Sequence, residues 1–185
     1  FVEIDNVDLA EAFFNPQVIP AVGGINPILR YMAANSAESV DTLIVDPLRN
    51  FLFGPPGAGG LDLAALNIQR GRDHGLGSYN TVRSDFGLPR VRSFRQITSD
   101  PELAAALQSL YRTVDEVDAW IGMLSEDPIP GGSVGITTDA VITDQFHRLR
   151  DGDRFWFENA GFDSRDVAML NRVTLSEIMA RNSGV

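Results

Sequence analysis

The 185 residues predict an all-α fold, and two observations carry that expectation. Apolar side chains recur at helical spacing through most of the chain, with little sustained alternation. Between these stripes lie cap residues and loops of Pro and Gly that start and stop helices. The elements follow in order. Residues 8–14 (DLAEAFF) form a short amphipathic turn. Asn26 as N-cap with Pro27 in the first turn opens a helix through Ile28, Leu29, Tyr31 and Met32. Residues 39–52 predict another helix, interrupted or restarted at Pro47, and GPPGAGG (54–60) is a loop by composition. A helix spans Leu61 to about Gly71, Gly75 and Gly77 interrupt it, and the next helix starts near Ser78. Asp100-Pro101-Glu102 opens the clearest helix, with Leu103, Leu107, Leu110 and Tyr111 on one stripe.

Thr113 to Glu116 has the form of a capping box, and Val117, Trp120, Ile121 and Leu124 form the stripe after it. Residues 128–135 are a loop, and Ile142, Phe146 and Leu149 mark a helix that stops at Asp151-Gly152. RFWFEN (154–159) alternates briefly and predicts a short extended segment. Asp163 and Thr174 cap the last two helices, and Glu177 completes a box with Thr174. No repeat or low-complexity tract is present, so the 185 residues are expected to form a single domain.

Composition removes several function classes. The formal charge of −10 disfavours nucleic acid and anionic membrane surfaces as partners. No stretch is long and apolar enough for a membrane span. All 15 cations are Arg, which suits fixed bidentate contacts to carboxylates, although a coding bias explains the same fact. There are no cysteines, which excludes disulfides, thiolate metal sites and a thiolate nucleophile. GPPGAGG lacks the Gly-Lys-Ser/Thr of a phosphate-binding loop, because Gly59-Gly60-Leu61 stands in that place.

The richest stretch is LNIQRGRDHGLGSYN (66–80). A metal at His74 would need other ligands at useful spacing, and the only other histidine, His147, sits on the solvent side of an amphipathic stretch. His74 is therefore expected to organise a turn through a hydrogen bond. Asp151, Asp153 and Glu158 do not have calcium-loop spacing. Arg70 and Arg72 suit a helix C-terminus, and an Arg–Asp fork with Asp73 would lock the following loop. Asn80 and Arg83 stand three apart at the start of the next helix and so face the same way. An amide acceptor beside a guanidinium suits a ligand with one N–H to orient and one carboxylate to neutralise. The residues alone leave that reading and an ordinary first helical turn both open.

LNIQRGRDHGLGSYN closely resembles the signature of the animal-type haem peroxidases, the peroxidase–cyclooxygenase superfamily. GGINPILR (23–30), LDLAALN, LRDGDRFWFEN (149–159) and TLSEIMARNSG (174–184) agree with it in order and spacing. The resemblance spans about residues 20 to 184 and is strongest to the bacterial and peroxinectin-like branches, with Gly77 standing where many relatives have Pro. It implies a mainly helical haem-peroxidase fold, of which residues 1–185 are the C-terminal portion of a single catalytic domain. It further implies that Asn80 accepts the Nδ1–H of the proximal histidine, that Arg83 meets a haem propionate and that Leu76 lies in the proximal haem pocket. Arg70, Asp73 and His74 are then structural, and no catalytic or metal-ligating residue is expected within this chain. The axial histidine, the residues that act on peroxide and any calcium site are expected upstream, in a missing N-terminal part or a second chain.

The activity so implied is a haem-dependent peroxidase that reduces hydrogen peroxide and oxidises halides or small organic donors, in a secreted or extracellular setting. Fatty-acid oxygenation is the alternative within the superfamily, and a non-catalytic helical binding or adhesion module is the alternative outside it. Phe1 in place of Met suggests a processed or truncated product. Alone, the chain is expected to be inactive and to expose apolar surface where the rest would pack. A haem titration of the 185-residue chain is expected to show no stoichiometric binding; a one-to-one complex with a histidine-ligated spectrum would make His74 or His147 a ligand.

Overall fold

The computed structural model describes residues 9–50, 54 and 60–183, and they are helical throughout. In chain order the helices are α1 (Leu9–Ala12), α2 (Val18–Ala21), α3 (Asn26–Ala34), α4 (Asp46–Arg49), α5 (Leu63–Asp73), α6 (Tyr79–Asp85), α7 (Pro101–Leu110), α8 (Ala119–Leu124), α9 (Ile136–Gly152), α10 (Ser164–Leu170) and α11 (Leu175–Asn182). Single 3₁₀ turns lie at Phe94–Gln96 and Val114–Glu116. No strand forms among the described residues, and one isolated antiparallel bridge joins Ser78 and Asp118. The helices group into two compact units, residues 39–148 and residues 1–38 with 149–185.

The 39–148 unit holds the buried core: Tyr79, Val91, Ile97, Leu107, Val114 and Val117, with Phe94, Leu103, Tyr111, Ile121 and Met123 packed on it. Local rules account for its helices. Asp62 caps α5 by accepting from the Ala65 N–H at 2.9 Å, and Asp100 caps α7 by accepting from Glu102 and Leu103. Helix α5 ends at a left-handed glycine. Gly75 has φ +70°, its N–H donates to the Arg72 carbonyl, and the Leu76 N–H donates to the Gly71 carbonyl. This is a Schellman ending, which needs a residue without a Cβ at that position. Helix α6 ends the same way at Gly87, whose φ is +72°. Two such stops, twelve residues apart, end α5 and α6, each of which packs against α8.

Several sequence expectations shift. The N-cap of α3 is Ile25 rather than Asn26, which is itself the first helical residue. The predicted 39–52 helix contracts to Asp46–Arg49 among the described residues, because Pro47 favours a first helical turn and not an interior one. Residues 51, 52 and most of GPPGAGG lie outside the described residues. Thr113 makes no capping bond, and Glu116 turns back to accept from the Arg112 N–H and guanidinium instead. The helix therefore begins later, at Ala119. Leu110 is exposed while Leu107 is buried. RFWFEN is a series of turns rather than extended chain, with Trp156 N–H donating to the Asp153 carbonyl and Asn159 N–H to the Trp156 carbonyl.

In the other unit, Asp163 caps α10, and Thr174 with Glu177 forms a complete capping box on α11. Its apolar residues find little cover within the chain. Ile25, Ile28, Tyr31, Met32, Phe155, Met169, Leu175 and Ile178 are all exposed. The stripe of α3 is therefore present in the sequence but stays exposed among the described residues.

One close approach in the core gives a sharp prediction. A Cβ at Gly122 would fall 2.4 Å from the Tyr79 ring. Gly122→Ala is expected to destabilise the 39–148 unit by about 1–3 kcal/mol through overpacking, read as a lowered midpoint in denaturant with an unchanged slope.

Candidate functional site

The segment from α5 to α6 positions every residue singled out in the sequence. Helix α5 is held from behind by a fork. Arg72 Nε and Nη2 donate to Asp118 Oδ1 and Oδ2 at 2.9 and 2.7 Å, and the Tyr111 hydroxyl donates to Asp118 at 2.7 Å. The expected Arg–Asp fork is thus real in kind, but its carboxylate is Asp118, 46 residues away, and not Asp73. Adjacent helical residues point about 100° apart, so Asp73 cannot face Arg72; it accepts from Gln69 at 2.7 Å. The Arg72 guanidinium holds the Asp118 carboxyl below the usual carboxylate range. Burial, followed by the hydrogen bond to Asp118, pushes the Tyr111 phenol up to about 12.

His74 is the C-cap of α5, and its Nδ1 lies 2.9 Å from the Arg70 carbonyl. It organises the turn, as the sequence suggested. His147 is exposed on α9.

Asn80 and Arg83 face the same way, as their spacing requires, but they face the interior. Asn80 is fully buried. Its Nδ2 donates to the Val91 carbonyl at 2.9 Å and to Asp115 Oδ1 at 2.7 Å, while its Oδ1 accepts from the Val91 N–H at 2.8 Å. Arg83 donates to Glu126 at 2.9 Å, to Thr137 at 2.8 Å, to the Tyr79 hydroxyl at 3.2 Å and to the Pro89 carbonyl at 2.9 Å. The side chains of Arg83 and Glu126 are 8% and 4% exposed. Glu126 also accepts from the Tyr79 hydroxyl at 2.6 Å, from the Thr137 N–H at 2.8 Å and from the Thr137 hydroxyl. Burial and the neighbouring Glu126 carboxylate push the Tyr79 phenol above its ordinary value, so it stays a neutral donor. Asn80, Arg83 and Glu126 are enclosed by residues of this chain alone. Leu76, by contrast, is exposed and packs one edge over Gly71.

A second amide–guanidinium pair was overlooked in the same stretch. Asn67 and Arg70 stand on α5 with the same three-residue spacing as Asn80 and Arg83, and both are exposed. Leu66 is exposed beside them, and Asn67 also borders a cleft of about 190 Å³ between α5 and α8, shared with Leu76, Gly77 and Trp120. The signal was the repeated Asn-x-x-Arg within residues 67–83; which copy faces out depends on packing.

The model of the animal haem peroxidases matches residues 1–185. This chain belongs to the animal haem peroxidase family. It is 41% identical over 176 residues to peroxinectin A of Dictyostelium discoideum, covering 93% of the chain and 32% of that protein. Against human eosinophil peroxidase the identity is 42% over 186 residues, covering 97% of the chain and 26% of that protein. The chain therefore spans about a third or less of the length of these relatives. Among solved structures, peroxidase A of Dictyostelium discoideum superposes with a TM-score of 0.83 at 39% identity, over 96% of this chain and 34% of that one. The helical architecture is that of this family. A fatty acid α-dioxygenase of Arabidopsis thaliana superposes with a TM-score of 0.76 at 20% identity over 89% of this chain and 27% of that one, and shares the fold.

Two outcomes test the division between the buried and exposed pairs. Asn80→Ala leaves the Val91 N–H and carbonyl without partners and is expected to cost about 2–4 kcal/mol of stability, whereas Asn67→Ala is expected to stay within about 0.5 kcal/mol. The lowered pKa of Asp118 means that its contribution is present above the ordinary carboxylate pKa of about 4. It is lost as the pH falls below that value, so Asp118→Asn is expected to flatten the acid side of a melting-temperature profile.

Proposed function

We propose that this chain is the proximal-side helical portion of a haem-dependent peroxidase that reduces hydrogen peroxide and oxidises halides or small organic donors. The observation that carries the reading is the family match over the whole chain, together with the 39–42% identity to proteins named as peroxidases or peroxinectin. The likeness to the fatty acid dioxygenase, at 20% identity, supports the fold alone. A secreted or extracellular setting is part of the proposal.

The residues present fit a haem approached from the exposed face of α5. Asn67 offers a neutral amide, Arg70 a permanent cation and Leu66 an apolar surface, and all three are open to a group packed against them. We assign to Asn67 and Arg70 the roles that the resemblance had suggested for Asn80 and Arg83: an acceptor for the N–H of an axial imidazole, and a counter-charge for a propionate. Asn80 and Arg83 have already spent those capacities inside the core. Leu76, exposed beyond the Schellman turn, stays assigned to the proximal pocket wall. Haem, when bound, supplies a redox-active iron that exchanges electrons with peroxide and donor. The axial histidine and the groups acting on peroxide come from outside these 185 residues, because His74 is engaged in the turn and His147 stands alone on α9.

The chain's own contribution is orientation and charge. A neutral amide fixes the direction of an imidazole N–H while drawing less proton density from it than a carboxylate does. The Arg72–Asp118 fork holds the rotation of α5 that keeps Asn67 outward. Arg70 offers a planar guanidinium whose fork of N–H donors matches a carboxylate. The exposed apolar residues of the other unit are the surface on which the missing part of the polypeptide, or a second chain, is expected to pack.

Redox titration of the complete haem-bound protein tests the assignment. Asn67→Asp is expected to lower the Fe(III)/Fe(II) potential, since a carboxylate pushes more electron density through the ligand. Asn80→Asp is expected to destabilise the fold and leave the potential of the folded fraction unchanged. The reverse pattern would return the role to Asn80. Loss of the Soret band from the unaltered complete protein, or turnover of a fatty acid without peroxidase turnover, would overturn the peroxidase reading itself.

A further inference from the structure

Away from the α5 face, the 39–148 unit carries a groove whose charge runs against the rest of the chain. It encloses about 990 Å³ between the 89–95 segment, α7 and residues 112–115. Four arginines line it, Arg90, Arg92, Arg95 and Arg112, against a single lining carboxylate, Asp115. The chain as a whole has a formal charge of −10, so a net positive groove is a local reversal and not a reflection of composition. Between the arginines the lining is mixed: Pro89 and Ala105 are exposed and Phe94 half-buried, Val91, Ala104 and Val114 lie beneath them in the core, and Ser93, Gln108 and Thr113 are polar.

The four arginines are not equivalent. Arg90 pairs with Asp115 at 2.8 Å and Arg112 with Glu116 at 2.7 Å. Arg92 and Arg95 are exposed and have no carboxylate within 4 Å among the described residues. Their backbones are nevertheless fixed. The Arg92 N–H donates to Gln96 Oε1 at 2.6 Å, and Arg95 lies within the 3₁₀ turn packed on α7. Asp115 is tied to the core through Asn80, so the paired arginines stand on a rigid wall. The groove thus presents two committed guanidinium–carboxylate pairs and two uncommitted guanidinium groups over a floor that includes Phe94 and Ala105.

We propose that this groove docks an extended acidic peptide segment of a partner protein, with carboxylates on Arg92 and Arg95 and intervening apolar side chains against Phe94 and Ala105. Guanidinium forks match carboxylates in a bidentate way, and the two native pairs show that carboxylate geometry is the one this wall accepts. The floor distinguishes the peptide from a sulfated polysaccharide, which would satisfy the charge but has no apolar side chains to cover Phe94 and Ala105. The volume is far more than one small anion fills. For an acidic partner the attraction is short-range and confined to this one patch, since the rest of the acidic surface repels it and so fixes where it can dock.

The test uses the full chain and a fluorescein-labelled peptide of about twelve residues in which Glu alternates with Leu, read by anisotropy. A Kd that rises at least tenfold in the double variant Arg92→Glu with Arg95→Glu, and that rises with salt in the unaltered chain, is the expected result. Because both side chains are exposed and unpaired, the double variant should keep the helical circular dichroism and melting midpoint of the unaltered chain. Arg92→Lys with Arg95→Lys should recover part of the affinity. Equal binding by the unaltered chain and the charge-reversed variant would overturn the proposal. So would absence of peptide binding, capture of a heparin oligosaccharide in preference to the peptide, or self-association of the chain through this face that the double variant abolishes.

Discussion

The buried contact between Arg83 and Glu126 is the constraint on which the 39–148 unit depends. It is an ion pair with almost no exposure, and such a pair is tolerated only if every remaining donor and acceptor is answered. Here they are. Tyr79, Thr137 and the Pro89 carbonyl take the rest of the guanidinium and carboxylate capacity, and no buried side-chain polar atom among the described residues is left without a partner. One charge pair therefore fixes α6 against Glu126, two residues past the end of α8, and the first turn of α9. Each side chain comes from a different stretch of sequence, so the pair forms only when all three have arrived.

The second constraint is local and sits beside it. Two Schellman endings, at Gly75 and Gly87, reverse the chain with backbone hydrogen bonds alone. The reversal sets α5 against α8, where Arg72, Asp118 and Tyr111 lock it. Buried charge behind and an ion-pair fork at the flank leave one face of α5 open. Asn67 and Arg70 stand on that face. The division of labour is physical: the interior pair gives rigidity, and the outer pair is exposed among the described residues and retains hydrogen-bonding capacity.

The animal haem peroxidase family places these features in a larger molecule, since the relatives are about three times as long as the segment they share with this chain. The exposed apolar side chains of α3, α10 and α11 fit that setting. So does the contrast between the two units. The 39–148 unit buries a polar network of its own, whereas in the other unit α10 and α11 are capped by side chains but bury little.

The helical class, the helix starts at Asp100, Asp163 and Thr174 and the family signature are legible in the sequence, because each depends on residues within a few positions of one another, whereas the cap at Asp62 falls inside the helix that the apolar pattern starts at Leu61. RFWFEN misled because three alternating residues fit a turn series as well as a strand. Thr113 misled because Glu116 found Arg112, a competitor that a capping pattern does not include. The tertiary structure alone decided which of two identical Asn-x-x-Arg spacings is buried and which is exposed. Burial is a property of what lands on a helix face from elsewhere in the chain, in this case Val91, Asp115, Glu126 and Thr137, and spacing along one helix carries no record of it.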